Sequence, residues 1–146
     1  MNNDEKYKVF EEIAFDHLLK KYGWKVCTTP QFALVDGIAV KDNEITHVVE
    51  FKSRNETMAS MERFGTYLIS YDKIENGLQI CRMMRVPFIL IVYLIGDGVV
   101  MGMEIGDEFG VTVDMEIKET RTQRNADGGS VIRRNAYIDL ENFHIL

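Results

Sequence analysis

Cysteine and histidine are scarce in this chain of 146 residues, and their scarcity excludes several classes of protein. Cys27 and Cys81 lie far apart and form no Cys-x-x-Cys pair, so neither a disulfide framework nor a zinc ribbon is expected. The three histidines show no metal-ligand spacing. The chain also lacks a Walker loop, a Gly-x-Ser-x-Gly motif and a dinucleotide fingerprint, so we expect no nucleotide cofactor.

Long apolar runs and an excess of positive charge are missing as well. The longest apolar run, 87–95, is too short to span a bilayer, and the polar segment 1–8 does not read as a secretory signal. We therefore expect a soluble, cytoplasmic protein without a membrane partner. The net charge of −6 argues against a protein that coats nucleic acid, but not against a nuclease, whose metal-binding carboxylates shift the balance towards acid.

The apolar residues that are present predict one domain over residues 1–146, since 46% of the chain is hydrophobic and its length leaves no room for a second core. Helical periodicity runs over 4–22, where Asn2, Asn3 or Asp4 can cap the helix and Gly23 ends it. Three strands are predicted next, over 24–28, 32–40 and 45–52.

A second helix is predicted over 61–85, although Gly65 and Gly77 weaken the pattern locally. An apolar strand at 88–94 turns back at 96–98 into a strand at 99–105. Further antiparallel strands are predicted at 111–117, where Val111, Val113, Met115 and Ile117 share a face, and at 131–140 after a Gly128-Gly129 turn. The order helix, three strands, helix, strand over about 4–95, followed by β additions over about 98–146, predicts a mixed α/β sheet with helices on its faces.

The chemistry is concentrated in Asp36 and in the run Glu50-Phe51-Lys52. Strand alternation places Glu50 and Lys52 on the face that begins with Val48, in a strand expected to be internal, where charges are costly unless paired or liganded. A three-residue turn at 42–44 would put Asp36 directly across from Glu50, about 5 Å apart at Cβ. A two-residue turn would instead put Asp36 opposite Val49, on the wrong face, unless Gly37 marks a bulge. Two carboxylates so placed can hold Mg²⁺.

These residues, in this order of elements, resemble the PD-(D/E)XK nuclease superfamily, which has the restriction-endonuclease-like fold with an αβββαβ core. The aspartate of the motif matches Asp36 and its Glu-x-Lys matches Glu50 to Lys52, whereas the usual proline before the aspartate is replaced by Val35. The resemblance implies a Mg²⁺-dependent DNA endonuclease of phage type, with Mn²⁺ able to substitute. Asp36, Glu50 and the carbonyl of Phe51 would bind the metal, and Lys52 would orient the attacking water.

Members of this superfamily often add a glutamate from the first helix, and Glu11 and Glu12 are the two candidates. Glu11 lies within the apolar stripe of the helix, whereas Glu12 points further towards solvent. We therefore predict Glu11 as the fourth catalytic and metal-binding residue. The alternative for the whole site is an internal salt bridge of Lys52 with Glu50 or Asp36.

Basic residues outside this motif are candidates for nucleic-acid binding. The segment 118–136 carries a local charge of +3 and resembles an arm able to grip phosphates, with a solvated hairpin of cross-strand ion pairs as the alternative. Lys73 matches a helix lysine common in phage-type relatives, or else pairs with Asp72 or Glu75. The predicted contacts are Arg54, Lys73, Arg121, Arg124, Arg133 and Arg134.

Two further questions concern the partners and the activity. DNA is the expected substrate and RNA the alternative, and a homodimer would match the symmetry of a duplex. Met58, Phe64, Tyr67 and Tyr71 could pack a dimer face or the core. The competing functional hypothesis is an inactive member of the fold that serves as a nucleic-acid-binding or assembly subunit.

Overall fold

The computed structural model describes residues 2–30, 33–123 and 130–146, and it begins with a 20-residue helix, α1 (Asn3–Tyr22). A capping box starts this helix: the Asn2 side chain accepts the N–H of Glu5, and the Glu5 carboxylate accepts the N–H of Asn2, each at 2.9 Å. Gly23 ends it in the left-handed conformation, at φ 72°. The predicted limits of the first helix are thereby confirmed.

Two further helices, ten strands and a short 3-10 turn at Leu140–Asn142 make up the rest of the described chain. In chain order they are β1 (Lys25–Thr28), β2 (Gly37–Lys41), β3 (Glu44–Arg54), α2 (Met58–Phe64), β4 (Thr66–Ser70), α3 (Tyr71–Met84), β5 (Phe88–Leu94), β6 (Val99–Asp107), β7 (Gly110–Val111), β8 (Glu116–Gln123), β9 (Ser130–Asp139) and β10 (His144–Ile145). Within the described residues, no helix is both long enough and apolar enough to cross a membrane.

The main sheet has the order β1-β2-β3-β5-β6-β10, with β7 paired to β6. The β3–β5 pair is parallel and the other pairs are antiparallel, so the sheet is mixed, as predicted. One face packs under α1 through Val49, Phe51, Ile89 and Ile91. The opposite face packs under α3 and a smaller sheet. Strand β3 is therefore internal, and its central residues, 48–51, are buried on both faces.

The β2–β3 hairpin reaches the predicted register by a different route. Its turn has two residues, Asp42 and Asn43, both with positive φ, and not the three residues predicted. The pairing shifts between Ala39 and Val40, so that Thr46 is the extra residue of a bulge. The bulge lies here and not at Gly37, which pairs with Val49. One extra residue on β3 compensates for the shorter turn and brings Asp36 alongside Glu50.

The predicted helix over 61–85 is wrong, because the chain forms α2, β4 and α3 in this region. Gly65 adopts φ 74° and ends α2 in the left-handed conformation. Gly77 has a different role inside α3, where a Cβ would lie 2.5 Å from the ring of Phe88. Its missing side chain lets α3 approach β5 closely. The strand predicted over 32–40 is also too long, since β2 begins at Gly37.

A second, three-stranded sheet has the order β4-β9-β8 and covers the α3 side of the molecule. Tyr67 and Ile69 of β4 and Ala136 and Ile138 of β9 join the core there. The predicted C-terminal hairpin therefore forms, but it pairs with β4 instead of extending the main sheet. The continuous strand predicted over 111–117 is wrong, because β7 ends at Val111 and β8 begins at Glu116. The predicted turn at Gly128-Gly129 lies outside the described residues.

Candidate active site

The candidate site lies where β3 continues beyond the end of its neighbour β2. The ladder between them reaches Asp36, whose N–H donates to the carbonyl of Val49 at 3.1 Å. Phe51 is the next residue whose backbone groups point to that side. Side chains pair with both of these groups: the Phe51 N–H donates to Asp36 Oδ2 at 2.8 Å, and the Phe51 carbonyl accepts the hydroxyl of Tyr7 at 2.8 Å. The unequal lengths of the two strands thus fix the position of the Asp36 carboxylate.

Glu50 is buried on the opposite side of β3 from Phe51, with 1% of its surface exposed. Within the described part of the chain, neither of its carboxylate oxygens has a hydrogen-bond partner. The Nζ atoms of Lys52 and Lys73 each lie 3.8 Å from Glu50 Oε1. That distance allows attraction but is too long for a hydrogen bond. The site therefore contains a buried carboxylate flanked by two ammonium groups and lacking a close ligand.

The electrostatics of Glu50 reflect this environment. Burial raises the pKa of Glu50 to about 7, and the nearby charge of Asp36 raises it further, while Lys73 and Lys52 act in the opposite direction. A carboxyl group with such a pKa is easily protonated in the metal-free protein. A bound cation would favour its ionised form instead.

A cavity of about 580 Å³ opens beside these residues, and Asp36, Glu11, Tyr7 and Lys73 line it. Burial and the charge of Asp36 raise the pKa of Glu11. Glu12 is exposed, so the helix turns Glu11 towards the cavity, and whether Glu11 binds a metal stays a prediction. Among the described residues, no three acidic, histidine or cysteine side chains form a cluster suited to a metal ion.

The donor set nevertheless fits a hard divalent cation. Within the described residues, both Glu50 oxygens are buried without a hydrogen-bond donor, and the Asp36 carboxylate, whose Oδ2 accepts from the Phe51 N–H, lies next to Glu50. Carboxylate and carbonyl oxygens are the ligands that Mg²⁺ prefers, and it usually keeps several waters. Two carboxylates and the Phe51 carbonyl could therefore be the protein's contribution, and Glu11 lines the same cavity as Asp36.

The predicted nucleic-acid contacts lie in different environments. The Arg54 guanidinium lies over the ring of Tyr67, at 5.3 Å, and donates to the Ser53 carbonyl. Lys73 pairs with Glu50, and not with Asp72 or Glu75. Those two carboxylates instead lie 3.9 Å and 3.6 Å from Arg134, whose guanidinium also covers the ring of Tyr71.

The other predicted arginine contacts that the structure describes lie on the β8–β9 hairpin. Arg121 and Arg133 are exposed on it, and Arg124 lies outside the described residues. Arg134 binds across to α3 and so joins the hairpin to the helix that carries Lys73. The hairpin is therefore held beside the candidate site.

Two tyrosines at the site were not identified from the sequence as site residues. Tyr7 fitted the apolar stripe of the first helix, although its position one turn before Glu11 was a usable signal. Tyr67 is in the core, and its buried hydroxyl has no hydrogen-bond partner within the described residues. Burial raises the pKa of Tyr67 to about 12, so its hydroxyl stays protonated.

Comparison with known proteins bears on the fold and on the family of the chain. The fold is similar to that of Hjc from Archaeoglobus fulgidus, a Holliday junction resolvase from an archaeal hyperthermophile, with a TM-score of 0.55 and 19% identity. That match covers 93% of this chain and 85% of the resolvase. No curated protein matches the sequence significantly. A family model described as "Phage putative PDDEXK endonuclease" matches residues 8–140, and the chain therefore belongs to this nuclease family.

Proposed function

We propose that this protein is a metal-dependent DNA endonuclease that hydrolyses phosphodiester bonds at the site formed by Asp36, Glu50 and Lys52. The observation that carries the proposal is the buried Glu50 carboxylate, 1% exposed and without a hydrogen-bond partner in the described chain. An unsatisfied buried charge destabilises a fold, and such groups concentrate at functional sites. A divalent cation bound by the Glu50 oxygens would compensate this charge.

Asp36, Glu50 and the carbonyl of Phe51 would hold Mg²⁺ or Mn²⁺, and Glu11, which lines the same cavity as Asp36, would add a further carboxylate. Such a cation lowers the pKa of bound water and neutralises charge on the phosphate. The protein contributes the fixed positions of these oxygens, because the Phe51 N–H holds Asp36 at 2.8 Å and β3 is internal to the sheet.

Lys52 and Lys73 would act on the reacting phosphate from two different elements. Their Nζ atoms lie at equal distances, 3.8 Å, from the same Glu50 oxygen. Lys52, on the strand, would orient the attacking water and stabilise negative charge as it develops. Lys73, at 41% side-chain exposure, has access to solvent and would contact the scissile phosphate.

DNA is the substrate that we propose, with RNA as the alternative to be tested. Arg54 at the end of β3 and the arginines of the β8–β9 hairpin would bind backbone phosphates on either side of the cut. The similarity to a Holliday junction resolvase makes branched DNA one of the substrates to test. A homodimer would allow two strands to be cut symmetrically.

A cleavage assay tests this proposal. Wild type and Lys52→Ala are compared on single-stranded, duplex and four-way-junction DNA and on RNA, each with Mg²⁺, Mn²⁺ or EDTA. Lys20→Ala is the matched control, because Lys20 pairs with Asp16 on the exposed side of α1 and lies outside both the site and the basic hairpin. We expect cutting that needs metal, that Lys20→Ala retains and that Lys52→Ala loses. If neither the wild type nor any variant cuts while all of them bind DNA equally, the hypothesis of an inactive binding subunit replaces that of a nuclease.

A further inference from the structure

The backbone of Phe51 depends on side chains for its hydrogen bonds. Its N–H and carbonyl point towards the side where β2 has already ended, so the regular ladder does not satisfy them. Asp36 accepts from the N–H, and the Tyr7 hydroxyl donates to the carbonyl, both at 2.8 Å. Tyr7 therefore contacts the backbone oxygen that, under the proposed function, would bind the cation.

Tyr7 is held rigidly in this position. Its ring packs edge-on against the ring of Phe51, with centroids 5.5 Å apart. It lies one helical turn before Glu11 on α1, and both residues line the cavity of Asp36. Burial and the negative charges of Asp36, Glu11 and Glu50 raise the pKa of Tyr7, so the phenol is a hydrogen-bond donor throughout the physiological range.

We propose that Tyr7 is a positioning residue, whose hydroxyl fixes the Phe51 carbonyl in the orientation that binds the divalent cation. A carbonyl oxygen has two lone pairs, so the phenol occupies one and leaves the other for the metal. Tyr7 thus connects α1, which carries Glu11, to the strand that carries Glu50 and Lys52. This inference rests on the proposed function, because it concerns the same metal site.

The test is a Mn²⁺ titration of the intact protein without DNA, by isothermal calorimetry at 25 °C. Tyr7→Phe keeps the ring and its packing and removes only the hydroxyl. Losing a partner of this kind weakens metal binding by roughly 10- to 100-fold, and we expect a rise of that size in the Kd for Mn²⁺. Tyr22→Phe is the matched control on the same helix, where Tyr22 stacks on Trp24 away from the site.

A purely structural role is separated from a positioning role by two further readouts. The metal-free unfolding temperature reports packing, and the titration is run well below it for every variant. Saturating Mn²⁺ should restore cleavage to Tyr7→Phe but not to Lys52→Ala, because only the former retains all the groups that act on the phosphate.

The outcomes distinguish this inference from the proposed function. An unchanged Kd for Tyr7→Phe, in a wild type that binds Mn²⁺ and cuts DNA, overturns the role of Tyr7 and leaves the nuclease standing. A lower Kd also overturns it, since the phenol would then compete with the metal for the carbonyl. If the wild type binds no Mn²⁺, both proposals fail.

Discussion

Phe51 and Glu50 are neighbours on one strand and are almost equally buried, yet their surroundings are opposite. Phe51, at 0% exposure, meets the rings of Tyr7 and Phe15 at 5.5 Å and 5.4 Å under α1. Glu50, at 1% exposure, lies on the α3 side with two unsatisfied oxygens. The strand places them on opposite faces because successive side chains alternate.

This contrast separates a buried position that stabilises the fold from one whose burial opposes folding. Burying an aromatic ring among other rings stabilises the fold. Burying a carboxylate without hydrogen bonds opposes folding, and a domain of this size has only a small net stability to lose. The α1 face of β3 therefore anchors the strand, and the α3 face carries a charge that the metal-free protein would be more stable without.

The largest difference in stability should appear when Phe51 and Glu50 are substituted one at a time. Phe51→Ala should lower the free energy of unfolding by about 3–5 kcal/mol, since it leaves a cavity under α1. Glu50→Gln should leave stability unchanged or raise it, because it removes a buried charge, while cleavage is lost. Urea denaturation in EDTA measures both. A Glu50→Gln variant as destabilised as Phe51→Ala would show that Glu50 is a structural residue.

A second effect is a pH dependence to which Glu50, on the α3 face, contributes more than Glu11 on α1. The folded protein raises the pKa of Glu50 from 4.5 to about 7, so between these values it retains a proton that the unfolded chain has released. The contribution of this proton to the free energy of unfolding is fully present below about pH 4.5. It is lost as pH rises through about 7, and the free energy of unfolding falls by roughly 1 kcal/mol per pH unit between these values.

Urea denaturation of the metal-free protein at a series of pH values measures this slope. Glu50→Gln should remove most of this slope and leave the part that comes from the raised pKa of Glu11, whereas Glu116→Gln, on the exposed hairpin, should retain all of it. An identical slope in Glu50→Gln would assign the titration to another group and remove the energetic contrast between the two faces.

Bound metal should stabilise the α3 face of β3, which carries the Glu50 carboxylate, and so reverse the energetic difference between the two faces. At a hundredfold excess over Kd, Mn²⁺ should add about 3 kcal/mol to the free energy of unfolding, and its affinity should rise with pH as Glu50 loses its proton. Asp36→Asn should abolish the gain in unfolding temperature. Asp16→Asn is the matched control, because Asp16 pairs with Lys20 on the exposed side of α1. An equal gain in both variants would place the metal elsewhere.

The contrast between the faces of β3 was predictable from sequence, whereas several of the devices that produce it were not. Alternation alone separates Glu50 from Phe51, and the charge pattern identifies Asp36 as their partner. The bulge at Thr46 was hidden, since a three-residue turn gives the same register. Met61, Phe64 and Leu68 fit a helical period, so the break at Gly65 and strand β4 depend on the pairing of β4 with distant β9. The role of Tyr7 at the site was not predicted, because a tyrosine in the apolar stripe of a helix is equally typical of a core residue.

The smallest effect concerns a second pair of neighbours, Arg133 and Arg134 on β9, which repeat the contrast at the surface. Arg134 is bound to Asp72, Glu75 and the ring of Tyr71, whereas Arg133 is exposed on the other face of the strand. Arg134→Ala should lower the free energy of unfolding by less than about 1 kcal/mol, because these ion pairs are partly exposed. Arg133→Ala should leave stability unchanged and reduce the salt dependence of DNA binding by about one phosphate contact. Binding titrations over a range of salt concentrations measure that slope. Equal slopes for wild type and Arg133→Ala would mean that this face of the hairpin does not touch the DNA backbone.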